Sequence, residues 1–62
     1  MRNLSTYENG VRGILIAEHD FNDEMLKGWY VAGIIAQAAK AGRTTKSAAK
    51  SVANFLEHMD NN

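Results

Sequence analysis

The sequence predicts an all-α fold, and three observations carry the prediction. Residues 46–59 repeat apolar side chains at spacings of three and four. Residues 23–41 form a second apolar run, with Asn22 before it as a cap and Gly42 after it as a stop. The chain has no proline and no convincing set of alternating strands. The expected architecture is a helical hairpin, about 23–41 and 46–59, packed with an N-terminal helix of about 5–18.

The N-terminal segment carries two competing signals. Ser5-Thr6-Tyr7-Glu8 has the form of a capping box, with Glu8 three residues after Ser5. Tyr7, Val11, Ile14 and Leu15 then follow helical spacing. Against this, Asn9-Gly10 is a strong two-residue hairpin signal, and a β-hairpin over residues 4–16 is the alternative. Gly10 and Gly13 would each cost a helix about 1 kcal/mol relative to alanine. A lone hairpin is marginal without further strands, so helix is preferred.

In the middle run, Asp23 and Glu24 suit the positive end of a helix dipole and Lys40 the negative end. Met25, Trp29, Ala32, Ala36 and Ala39 form one face, and Leu26, Val31, Gly33, Ile34, Ile35 and Ala38 widen the apolar arc. A helix apolar over so much of its circumference needs contacts on two sides. Gly28, Ala32 and Ala36, spaced by four, suggest a tight helix crossing. Trp29 is expected inside the core or in a homodimer interface.

The last helix is the surest. Thr44 or Thr45 can cap its first turn, and Ala48, Val52, Phe55, Leu56 and Met59 form its apolar stripe, with Ala49 and Ala53 beside it. Asp60, Asn61 and Asn62 are expected to fray.

Sixty-two residues make one domain. Of the hydrophobic positions nine are alanine, so large apolar side chains are few. A chain this short buries only about 60% of its unfolded surface. Small domains usually make up the difference with disulfides, metal or self-association. There is no cysteine, so a homodimer is expected, formed through the first two helices. Val11, Ile14, Leu15, Trp29, Ile34 and Ile35 are the residues expected in the core or the dimer interface.

Formal net charge is zero, but the charges are segregated. Residues 1–26 hold five carboxylates against Arg2 and Arg12. Residues 27–51 hold Lys27, Lys40, Arg43, Lys46 and Lys50 with no acid. Residues 52–62 return to acid with Glu57 and Asp60. An antiparallel dimer could pair the acidic first third of one protomer with the basic middle of the other. No apolar leader begins the chain and its longest apolar run is far short of a membrane span. A cytoplasmic protein is the expectation.

Catalytic signatures are missing. No glycine-rich phosphate loop follows a strand, and there is no cysteine nucleophile. Ser5, Ser47 and Ser51 show no activating pattern. His19 and His58 lack the paired spacing of a helical metal site. The sequence therefore predicts no enzyme, no metal and no cofactor.

Two features remain for function. Arg43, Thr44, Thr45, Lys46, Ser47 and Lys50 surround the start of the last helix, where free N–H groups already attract anions. A lysine in a first helical turn opposes the dipole, so local helix stability does not explain Lys46. The second feature is the apolar surplus of residues 25–39 with Trp29 and Tyr30, residue types enriched at binding hot spots. The expected function is that of a small regulatory or inhibitory protein, of the kind found among phage accessory genes, that binds another protein bearing an acidic patch. Tyr30, Lys40, Arg43, Lys46 and Lys50 are the expected contacts. The alternative is a dimeric DNA-binding protein whose helix-turn-helix-like unit reads the major groove through residues 43–51. Ala38, Gly42 and Ala48 suit that layout. The long preceding helix, Arg43 directly after the glycine and the zero net charge count against it. A purely structural oligomer stands third.

Overall fold

The computed structural model describes residues 3–60 as three helices, α1 (Leu4–Glu18), α2 (Trp29–Lys40) and α3 (Thr45–Asp60). No strand occurs among the described residues. Of the tail expected to fray, Asp60 ends α3, and Asn61 and Asn62 lie outside the described residues.

The N-terminal segment is a helix and not a hairpin. Its cap is Asn3, whose Oδ1 accepts from the N–H groups of Ser5 (2.9 Å) and Thr6 (3.4 Å). Ser5 itself lies inside the first turn, so the cap stands two residues before the one read from the sequence and the Ser5–Glu8 capping box does not form. Tyr7, Val11 and Leu15 form the buried stripe, spaced by four. The Asn9-Gly10 signal is overridden because this stripe has a core to enter. Gly10 also has a packing role: a β-carbon there would stand 3.3 Å from Thr45 Cγ2, at the start of α3.

The long middle helix expected over 23–41 is split. Asn22 does act as a local cap, its Oδ1 accepting from Met25 N–H at 3.0 Å. The chain then makes only one turn, held by N–H groups that donate to the carbonyl three residues back: Met25 to Asn22, Leu26 to Asp23, Lys27 to Glu24. The backbone of Gly28 is extended, and α2 starts at Trp29. Burial of Leu26 explains the break. In one continuous helix Leu26 would lie within about 60° of Trp29. With the break, Leu26 enters the core while Trp29 stays outside, 85% exposed. Burying a leucine contributes about 2 kcal/mol, and ending the helix also avoids the roughly 1 kcal/mol cost of an internal glycine.

The C-terminus of α2 follows the sequence closely. Gly42 takes the left-handed conformation (φ 75°). The Arg43 N–H donates to Ala38 O, and the Gly42 N–H to Ala39 O. These are the two bonds of a Schellman stop. Two residues later, Thr44 Oγ1 accepts from Ser47 N–H at 3.1 Å and caps α3.

The three helices close around one hydrophobic cluster. Val31, Ile35 and Ala38 enter it from α2, and Ala48, Ala49, Val52 and Ala53 from α3. Ile14 and Ile34 pack against its edge. The α3 face differs from the expected stripe: Phe55 and Met59 are exposed, while Ala49 and Ala53 are fully buried. Lying against both other helices, α3 turns small residues inward, where backbones can approach closely, and leaves Phe55 at the margin.

Candidate functional site

The residues expected to bind a partner fall on two neighbouring surfaces. Lys46 and Lys50 stand exposed on α3, one turn apart. Lys40 is exposed at the end of α2, and no acidic residue occupies the first turn of either α2 or α3. The exposed basic residues thus flank the α2–α3 turn.

Arg43 is more constrained than its neighbours. It leaves the Schellman turn and lies back along α3. Its Nε donates to Ser47 Oγ at 2.9 Å, and one terminal nitrogen donates to Ser47 O, Ser47 Oγ and Ser51 Oγ. Residues 43, 47 and 51 recur at the four-residue spacing that brings side chains together on a helix. Among the described residues, each of these Arg43 hydrogen bonds ends on a neutral oxygen. Its positive charge is therefore held in place with no carboxylate among these partners. The two serines, which showed no nucleophile pattern in the sequence, serve here to orient a cation.

Beside Arg43 runs an open groove of about 640 Å³ between α2 and α3. Its apolar wall is made by Tyr30, Ile34, Ala38 and Phe55, with Gln37 and Arg43 at one end. Three aromatic rings form a row along it. Trp29 meets Tyr30 edge-on with centroids 5.9 Å apart, and Tyr30 meets Phe55 at 5.5 Å. Tyr30 can hold this position because residue 28 is glycine: a β-carbon there would overlap its ring.

Of the residues expected in a core or dimer interface, Val11, Leu15 and Ile35 are fully buried within the single chain, and Ile14 and Ile34 partly so. Trp29 is not internal. Ala32 lies exposed and Ala36 half-buried, facing away from α1 and α3, so the expected tight crossing at Gly28, Ala32 and Ala36 does not occur within the chain. Phe55 was placed in the core stripe by its spacing and belongs to the groove. Its position one residue before the partly buried Leu56 was the available signal.

Among the described residues no three metal-ligating side chains come together, and no helix is long and apolar enough to cross a membrane. No family model, curated protein or solved structure matches this chain.

Proposed function

We propose that this protein is a non-catalytic regulator that acts by binding another protein in the groove between α2 and α3. The observation that carries the reading is the pairing of an aromatic wall, Tyr30 and Phe55, with an oriented cation, Arg43. Aromatic and arginine side chains are the usual anchors of protein interfaces. An apolar side chain on the partner would pack across the touching rings of Tyr30 and Phe55, and a neighbouring carboxylate would meet the terminal nitrogen of Arg43 that does not contact the serines. Lys40, Lys46 and Lys50 would steer an acidic surface toward the groove, an effect that weakens with salt.

Affinity capture from host extract tests the reading with three baits: wild type, Phe55→Glu and Arg43→Glu. A specific partner should be retained by the wild type and lost from both variants while their helical circular dichroism stays intact. A partner retained equally by all three would remove the groove from the interaction.

DNA binding is the second reading, favoured by a specific observation. The helix before the turn has 12 residues and not 19, so its length no longer counts against a helix-turn-helix. Gly42 makes the turn, Ala38 and Ala48 are buried at it, and Lys46 and Lys50 face outward. Anisotropy of a labelled duplex at low and near-physiological salt separates the readings. A DNA-binding protein loses about 0.9 log unit of affinity per log unit of salt for each neutralised phosphate, and Lys46→Glu with Lys50→Glu abolishes its binding. The absence of binding at low salt leaves the protein partner.

A further inference from the structure

We infer that the outer face of α2 is a homodimer interface, in which two copies pack antiparallel and the Trp29 of each fills a hollow at the far end of the other's helix. This face adjoins the α2–α3 groove and shares Trp29, Gly33, Gln37 and Ala41 with its rim.

Two opposite faces of α2 are apolar. Val31, Ile35 and Ala38 fill a narrow arc that enters the core. At 100° per residue, Trp29, Ala32, Gly33, Ala36 and Lys40 fall in an arc of about 100° on the other side. An apolar face on both sides of one helix calls for two packing partners. The other described residues supply the first.

The outer face is uneven in a way that suits a second copy. At its N-terminal end Trp29 projects, the most exposed of the large hydrophobic residues. At its C-terminal end lies a shallow hollow of about 480 Å³ lined by Ala36, Gln37, Lys40 and Ala41. Between them the surface is low, and a β-carbon on Gly33 would meet no atom within 4 Å. A projection and a hollow on one face, separated along its axis, match when a second copy is turned end for end. A two-fold axis midway between Gly33 and Ala36 sets Gly33 against Ala36 of the other copy. It also brings Trp29 to Lys40 and into the hollow. Both hollows fill in the same step, which is the self-complementarity of an isologous contact. Glycine against alanine allows two helix axes to approach to about 8 Å.

Charge runs the same way. The chain entering α2 exposes Asp20, Asp23 and Glu24 against Lys27, and the chain leaving it exposes Lys40 and Arg43. Antiparallel packing sets the acidic entry of one copy beside the basic exit of the other. Lys40 would also lie over the indole of the partner's Trp29, a favourable cation–π arrangement. A parallel pair would set like charges together at both ends.

A helix of 12 residues is about 18 Å long, so the interface is small beside the roughly 1,000 Å² of total surface that specific association usually buries. The dimer should therefore form reversibly with concentration. Sedimentation equilibrium from micromolar to millimolar protein should show the wild type moving from one chain toward two. The emission of Trp29, the sole tryptophan, should shift to shorter wavelength over the same range. Trp29→Glu and Gly33→Leu should each remain monomeric throughout. Glu at position 29 suits the first turn of a helix, and Leu at 33 suits its interior, so both variants should keep their helical signal and either alone suffices as the test. Ala41→Cys fixes the orientation: antiparallel packing holds the two cysteines about 20 Å apart along the axis, too far for a disulfide. A wild type that stays monomeric at millimolar concentration would overturn the inference. So would a dimer that survives both substitutions, or rapid disulfide formation by the Ala41→Cys chain.

Discussion

The Tyr7 hydroxyl donates a 2.8 Å hydrogen bond to the backbone carbonyl of Arg43, 36 residues away. A second, longer approach runs to the carbonyl of Thr44 at 3.2 Å. One phenol thus ties α1 to the turn that aligns α2, α3 and the Arg43 side chain. Tyr7→Phe keeps the buried ring and removes the donor. Loss of a partly buried hydrogen bond should cost about 1–2 kcal/mol, a fall in Tm of several degrees for a domain of this size. Urea denaturation monitored by circular dichroism measures it, and an unchanged midpoint would mean that the bond contributes nothing.

The first cap distinguishes two residues that sequence patterns treat alike. Asn3→Ala should destabilise the protein by about 1 kcal/mol, because two N–H groups of α1 lose their acceptor. Ser5→Ala should be neutral or slightly stabilising, since Ser5 is an exposed residue of the helix and alanine is the better helix former. Equal losses from both variants would restore the capping box centred on Ser5.

Among the described residues two adopt positive φ, and substitutions there should have opposite signs. Gly42→Ala places a β-carbon at φ 75° and should cost about 1 kcal/mol or more. Asp20 already bears such strain at φ 62°, so Asp20→Gly should raise stability by a few tenths of a kcal/mol to about 1. Thermal unfolding of the two variants beside the wild type tests both signs together.

Gly28 has an extended backbone that any residue could adopt; what it supplies is space for Tyr30. Gly28→Ala should push the ring off its site and break its 5.5 Å contact with Phe55. The expected result is a changed near-ultraviolet circular dichroism spectrum with the helical signal kept. An unaltered aromatic spectrum would show that Tyr30 does not rest over residue 28.

Arg12 offers a substitution expected to help. Its Nε is buried without a hydrogen-bond partner. Arg12→Met keeps most of the apolar stem and removes the orphaned donor, so stability should hold or rise by up to about 1 kcal/mol. A loss in stability would mean that the guanidinium contributes favourably where it lies.

The basic cluster was legible from sequence because Lys40, Arg43, Lys46 and Lys50 sit close together along the chain, around a glycine whose stop function is local. The groove was not, because Tyr30 and Phe55 are 25 positions apart and meet only when α2 lies against α3. The role of Ser47 and Ser51 was hidden for a related reason: nothing in their spacing says that Arg43 will fold back over them.

The sequence alone determined the helical class, the stop at Gly42, a threonine cap at 44 or 45, and the helical spacing of Tyr7, Val11, Ile14 and Leu15, of which Ile14 is only partly buried. These follow from short-range physics: capping, left-handed glycine and a 3.6-residue period. Tertiary structure alone decided that the middle run breaks at Gly28, that Leu26 goes in while Trp29 stays out, and that α3 turns alanines inward. Those choices compare the burial of one side chain with that of another across helices. Spacing ranks both as apolar and cannot rank them against each other; only the volume available where three helices meet does that.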